Sequence, residues 1–253
     1  MIPVSTGGAE TTPFVLDTGS GVTVLAQSLV DRLGGKPAGR FTGFRLTGER
    51  IDLDLFTIPE LRVGPVVRHD VVVAGWDGLD KFHLSGMIAL DFFRDQEFTL
   101  DFSARRLVFE SQPSLAARLR HGSVVKAQFD DVRGVSLDLF APFRIDGKIG
   151  ECEVDTGSQG YVFAARYMDA LGLTAKSSGV KESKHTTILG NTETRYSAPV
   201  DSLTLGDTQI ASSPHPSVLF ENIIYDCNVG IDFWMNKTVT FDIPHKKLVV
   251  SSR

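Results

Sequence analysis

Asp17-Thr18-Gly19-Ser20 recurs 138 residues later as Asp155-Thr156-Gly157-Ser158, and this repetition is the strongest chemical signal in the sequence. One such run carries little weight, because Asp and Ser bond readily to nearby backbone and Gly permits a tight turn. Two runs can do more. Carboxylates that meet within hydrogen-bond range cannot both ionise cheaply, so they share one proton and titrate as a coupled pair. The ionised member can take a proton from a bound water while the protonated member polarises a carbonyl. The six histidines are scattered, and Cys152 and Cys227 lack metal-ligand spacing, so neither metal nor cofactor is expected. The two cysteines read as buried thiols, with one disulfide between them as the alternative in an oxidising compartment.

For the two loops to meet, the chain around them has to repeat, and it does. Leu25 falls on Phe163, Leu29 on Tyr167, and Leu33-Gly34 on Leu171-Gly172. Further on, Leu61-Arg62-Val63-Gly64 answers Leu203-Thr204-Leu205-Gly206, and Ile88-Ala89-Leu90-Asp91-Phe92-Phe93 answers Val229-Gly230-Ile231-Asp232-Phe233-Trp234. Ordered blocks at almost constant offset predict a tandem duplication. The first repeat is expected over residues 1–112, a linker over 113–122 and the second repeat over 123–253. A unit duplicated about a pseudo-two-fold axis brings the same loop from each half face to face. Within each unit, alternating segments such as residues 51–55 and 98–102 predict short strands. Apolar residues three to four apart after the loop (Leu25, Leu29, Val30, Leu33, stopped by Gly34) predict one short helix per unit. The front ends are unequal, because residues 124–143 form a lead-in that the sixteen residues before Asp17 do not match. That asymmetry suggests a natural chain that once extended further upstream.

Composition narrows the function classes. At 42% hydrophobic and 23% charged residues the chain can bury a substantial core, and wholesale disorder is not expected. A formal net charge of −5 without a Lys/Arg cluster argues against a nucleic-acid partner. The longest apolar runs, such as Val71-Val72-Val73-Ala74, are strand-sized, so no transmembrane segment is expected. The residues after Met1 lack the basic and apolar regions of a signal peptide.

On these residues the chain resembles the pepsin and retropepsin superfamily of aspartic proteases, most closely the bacterial tandem retropepsin-like proteins. The apolar-apolar-Asp-Thr-Gly loop stands at residues 15–19 and 153–157, with Glu153 in one apolar place. The apolar-apolar-Gly strand that crosses beside it stands at Asn228-Val229-Gly230 and Met87-Ile88-Ala89, with Asn228 for an apolar residue and Ala89 for Gly. The resemblance implies a mainly β fold of two retropepsin-like closed β-barrel lobes, one short helix each, related by pseudo-two-fold symmetry. It implies an aspartic endopeptidase with Asp17 and Asp155 as catalytic residues, acting as a monomer on a peptide or protein substrate. The loops would be supported by Thr18, Gly19 and Ser20 and by Thr156, Gly157 and Ser158. The threonine hydroxyls would bond across to the opposite loop. The serines would donate to the outer carboxylate oxygens and lower the pair's pKa, giving an acidic optimum. Flaps would be residues 44–53, centred on Thr47-Gly48, and 187–195, centred on Gly190-Asn191. Relatives of this kind are often exported, which favours a periplasmic or secreted location. Asp91, Asp232, Asp101 and Asp242 read as turn and edge residues, Trp76-Asp77-Gly78 as a packed turn, and Tyr161 as local packing. Two alternatives stand beside this reading: the same fold binding peptides without cutting them, and each repeat pairing with its twin in another chain.

Overall fold

The structure, a computed structural model, describes residues 1–187 and 190–252. Its strands fall into three sheets. The first sheet runs in the order Ile2–Val4, Thr12–Leu16, Gly86–Ile88, Val24–Ala26, Val66–Trp76, Arg50–Val63 and Lys36–Phe44. The third, of ten strands, begins with Lys181–Thr186, Thr192–Pro199, Ser217–Glu221, Tyr161–Ala164 and Cys227–Val229. It continues through Lys148–Val154, Ser136–Ile145, Ser202–Leu205 and Thr208–Pro214, while Gln128–Val132 pairs with Ser136–Ile145.

The same pairing surrounds each Asp-Thr-Gly-Ser run. Thr12–Leu16 lies parallel to Gly86–Ile88, which runs antiparallel to Val24–Ala26, itself parallel to Val66–Trp76. In the other half Lys148–Val154 lies parallel to Cys227–Val229, which runs antiparallel to Tyr161–Ala164, itself parallel to Ser217–Glu221. Each Asp therefore sits just past the end of a central strand. Its backbone N–H extends the ladder by one bond, Asp17 to the Ile88 carbonyl at 2.9 Å and Asp155 to the Val229 carbonyl at 3.1 Å.

The second sheet joins the halves. Its order is Ser123–Lys126, Lys247–Ser252, Lys237–Asp242, Glu97–Asp101 and Arg106–Phe109, so three strands that follow residue 122 and two that precede residue 110 share one ladder. At the junction Thr99 faces Thr240, with buried hydroxyls 2.7 Å apart, and Phe98 stacks on Phe241 with ring centroids 4.7 Å apart. Phe93, Phe98, Phe233, Trp234 and Phe241 are fully buried and form the apolar bulk beneath this ladder. Bulky aromatics supply much of the burial that opposes chain entropy.

The closed barrels expected from the resemblance are replaced, among the described residues, by sheets that run as open paths. The edge strand Ile2–Val4 spans three residues, too short for a second full ladder. It reaches back to Arg50–Val63 through one bridge between Ser5 and Arg62. Short helices follow both loops, Gln27–Arg32 in the first half and Arg166–Ala170 in the second. A further helix, Asp77–Lys81, stands where a packed turn is expected at Trp76-Asp77-Gly78. Asp77 and Asp80 in its first turn suit the positive helix end. Leu79 is buried, and Asp80 accepts from the Ser28 N–H and hydroxyl. Between the halves runs Gln112–His121, opened by a reciprocal Ser111–Ser114 cap and a proline in its first turn. No helix among the described residues is long and apolar enough to cross a membrane.

Cys152 and Cys227 are opposite one another in the parallel ladder, fully buried and disulfide-bonded, which replaces the expected pair of free thiols. The register itself brings them together, and register is not visible in the spacing of two cysteines. A bond closing a sequence separation of 75 residues contributes about 4 kcal/mol in the chain-entropy account. Replacing both cysteines by Ala is expected to lower the Tm by about 10 °C in calorimetry. An unchanged Tm would show that the bond does not form.

Candidate active site

Each loop is pressed against the other. A Cβ built on Gly157 would stand 2.3 Å from the Asp17 Cγ, and one on Gly19 would stand 2.5 Å from the Asp155 Cγ. The glycines are thus required by the opposite carboxylate rather than by a positive φ. Four bonds from the threonines lock this arrangement. The Thr18 N–H donates to the Thr156 Oγ1 at 3.1 Å, and the Thr156 N–H donates to the Thr18 Oγ1 at 3.0 Å. The Thr18 hydroxyl donates to the Val154 carbonyl at 2.5 Å, and the Thr156 hydroxyl to the Leu16 carbonyl at 2.9 Å. Both threonines are buried, so each bond replaces one that water no longer supplies.

Asp17 accepts the Gly19 N–H at 3.0 Å. Burial, and then the charge of Asp155, push its carboxyl up to about 7, against the pull of the Gly19 and Ser20 N–H groups. Asp155 accepts more. The N–H groups of Gly157 and Ser158 reach its Oδ1 at 2.8 and 3.1 Å, and the Asn228 amide reaches its Oδ2 at 2.8 Å.

The serines do not play the part expected of them. The Ser20 hydroxyl donates to the Val22 carbonyl at 2.7 Å, and the Ser158 hydroxyl to the Asn228 Oδ1 at 2.9 Å. Each loop offers its serine a nearer oxygen than the carboxylate, so the expected lowering of the pair's pKa loses its cause. The donor on the outer oxygen of Asp155 is Asn228 instead. Sequence reasoning treats Asn228 and Glu153 as separate departures from the pattern, yet they face one another in the ladder. Their common position in opposed strands is the signal that could have found them.

Gly230 fits so closely that a Cβ would meet the Ser158 carbonyl oxygen at 2.8 Å, whereas its counterpart Ala89 is accepted fully buried. Asp91 ties the first loop down by accepting from the Thr23 N–H at 3.0 Å and hydroxyl at 2.6 Å. In the second half Asp232 accepts from the Gly160 N–H at 3.1 Å. Burial raises Asp91 to about 6, and burial followed by the charges of Asp130 and Asp91 raises Asp138 to about 6. A carboxyl raised in the folded state contributes stability that is whole below its ordinary value near 4 and is lost as pH rises through the folded value. With Asp17, Asp91 and Asp138 all raised, the Tm is expected to fall as pH rises from about 4 to 7. A calorimetric series over that window checks the sign.

The two expected flap segments are hairpin tips. Residues 45–49 join Lys36–Phe44 to Arg50–Val63, closed by bonds from Arg45 N–H to Glu49 O at 2.8 Å and Gly48 N–H to Arg45 O at 2.7 Å. The second tip has matching bonds, Thr187 N–H to Asn191 O at 2.7 Å and Gly190 N–H to Thr187 O at 2.9 Å. Ile188 and Leu189 of that segment lie outside the described residues. The tips touch through Glu49, whose carboxylate accepts from the Thr187 hydroxyl at 2.6 Å and from the Asn191 amide. The Thr47 hydroxyl donates to its neighbour Glu49 at 3.3 Å, while Ile224 of the second half donates its N–H to the Leu46 carbonyl at 3.0 Å.

Away from the loops, Glu97, Asp242 and His245 place ligand atoms within 4.8 Å of one another, the one such group among the described residues. Asp242 is buried rather than a solvated turn residue, and its Oδ1 lies 2.6 Å from the His245 Nδ1.

Comparison with known proteins gives a family over part of the chain and a fold over all of it. Residues 2–91 match the aspartyl protease family. No curated protein matches the sequence. Among solved structures, conglutin gamma, a basic 7S globulin from lupine seeds, is similar with a TM-score of 0.57 at 11% identity, covering 100% of this chain and 94% of that one. Basic 7S globulin from soybean is similar with a TM-score of 0.54 at 11% identity and the same coverages. A retropepsin-like aspartic protease from Rickettsia conorii aligns over 51% of this chain and 89% of its own, at 12% identity and a TM-score of 0.38.

Proposed function

We propose that this chain, whose residues 2–91 match the aspartyl protease family, is an aspartic endopeptidase whose catalytic pair is Asp17 and Asp155. The observation that carries the reading is the reciprocal contact of the loops, Asp17 on Gly157 and Asp155 on Gly19, locked by the two threonines. A carboxyl held up to about 7 beside a second carboxylate keeps one proton on the pair through mildly acidic conditions. That state can activate a water with one member and polarise a peptide carbonyl with the other. Because one chain supplies both loops, the pair needs no second copy, which supports a monomer acting on an extended peptide. The matching strand order around the loops supports two lobes related by a pseudo-two-fold axis, with domain limits near residues 112 and 123.

The proton on Asp17 sets the pH dependence. Below about 7 the pair holds its proton, and above it both members ionise and the proton donor to the carbonyl is gone. Cleavage is therefore expected to fall along an alkaline limb near pH 7, without the further lowering of the pair that donating serines would give. A rate still rising well above pH 7 would contradict the assignment. The proposal as a whole is tested by incubating the protein with a diverse peptide library across that range, with and without pepstatin. Pepstatin-sensitive cleavage is expected, and cleavage indifferent to pepstatin would sink it.

A second reading, a peptide-binding module that does not cut, is favoured by one observation: two structural neighbours of similar fold are named as basic 7S globulins. Fold does not carry activity. Peptide binding without turnover in the same library experiment would select this reading.

A further inference from the structure

We propose that Asn228 is a positioning residue that fixes the charge of the pair on Asp155, and that Glu153 holds Asn228 in the orientation this requires. The proposal rests on the aspartic-protease reading for its consequence but not for its geometry. In the first half, Val15 faces Met87 in the parallel ladder beside Asp17. At the same register in the second half, Glu153 faces Asn228 beside Asp155. An apolar pair in one half is thus a polar pair in the other. Glu153 is 6% exposed and Asn228 is 3% exposed.

Either polar group alone would be costly to bury. Together they are satisfied. The Asn228 Nδ2 donates one hydrogen to the Glu153 Oε2 at 2.9 Å and the other to the Asp155 Oδ2 at 2.8 Å. Its Oδ1 accepts the Ser158 hydroxyl at 2.9 Å. Both donors of the amide are used, and reversing it would turn its carbonyl oxygen onto two carboxyl groups. The amide direction is therefore fixed by Glu153 on one side and Ser158 on the other.

The result is an unequal pair. Asp155 receives two backbone N–H groups and a side-chain amide, whereas Asp17 has Met87 where Asp155 has Asn228. Donors favour the charged partner of a hydrogen bond. Asp155 is then the member that takes the proton from water, and Asp17 the member that holds a proton toward the carbonyl. Burial and the nearby Asp155 charge push Glu153 well above the usual carboxyl range, so it accepts from the amide without adding a charge. The titratable groups facing this network are Asp155, Asp17 and Asp138 around Glu153, with Tyr225 beside them.

The test uses the double variant Glu153→Val with Asn228→Met, which copies the apolar pair of the first half and removes both buried polar partners together, leaving the partly exposed Ser158 hydroxyl to water. It is expected to fold with a Tm at or above that of the parent, because both partners are replaced together. Its kcat is expected to fall about 10- to 100-fold with little change in KM, the loss of one hydrogen bond to a charged group. Glu153→Gln keeps an acceptor for the amide and should recover most of the rate that Glu153→Val loses. Carbon-13 carboxyl titrations of Asp17 and Asp155 supply a readout independent of turnover. In the parent one carboxyl, Asp155, should carry the charge at mildly acidic pH, and in the double variant the two should share it. Identical carboxyl titrations in parent and double variant would overturn the proposal. A parent that shows the unequal titration yet cleaves nothing would overturn only the protease reading.

Discussion

Asp17→Asn is expected to leave a folded protein that cleaves peptides roughly 10³-fold more slowly than the parent, or not at all. Asn keeps the shape of Asp and an oxygen that can accept the Gly19 N–H now seen at 3.0 Å. It cannot carry the titrating proton that burial and Asp155 hold on Asp17 up to about 7. The same substitution removes the repulsion between two carboxylates, so the Tm at neutral pH should stay level or rise. That combination separates chemistry from folding. Cleavage that survives at the parental rate would end the aspartic mechanism. Peptide affinity that survives without cleavage is the expected companion result, since the chain keeps its binding surfaces.

Gly157→Ala is the second large effect, and it acts by shape alone. The added methyl would lie 2.3 Å from the Asp17 Cγ and 2.4 and 2.5 Å from its oxygens. No real contact is that short, so either the loops separate or Asp17 leaves its place. Overpacking of this kind costs about 1–3 kcal/mol. A displacement on the order of 1 Å at reacting groups can cost about 10²-fold in rate. Activity and Tm should both fall. Gly8→Ala is the control, since the nearest atom to its new methyl would be the Glu10 nitrogen at 4.0 Å. Equal behaviour of the two variants would show that the loops do not pack against one another in solution.

What the sequence makes legible is local and repeated. The two Asp-Thr-Gly-Ser runs, the helices after them and the hairpin tips at Thr47-Gly48 and Gly190-Asn191 follow from residue types at fixed offsets. The serine hydroxyls are misread because their partners depend on turn geometry: Val22 O for Ser20, Asn228 Oδ1 for Ser158. The disulfide and the Glu153–Asn228 pair share another cause. Both lie across the parallel ladder between Lys148–Val154 and Cys227–Val229, and that register brings together residues 75 positions apart. The helix at Asp77–Lys81 is missed because five residues are too few for a periodic pattern, and its order comes from Leu79 packing and the Asp80–Ser28 bonds. Asp242, read as a turn or edge residue, is buried because the strand carrying it is flanked by Lys247–Ser252 on one side and Glu97–Asp101 on the other.

Beyond the threonine lock between the two loops, the halves are held by two joints of unequal kind. One is the ladder of Glu97–Asp101 on Lys237–Asp242, made of backbone bonds and stacked rings. The other includes Glu49 with Thr187 and Asn191, a few side-chain bonds at two hairpin tips. Thermal opening selects the weaker joint. Mechanically the molecule is a pair of tongs with a riveted pivot and a light latch, so admitting a long guest would require undoing only the latch.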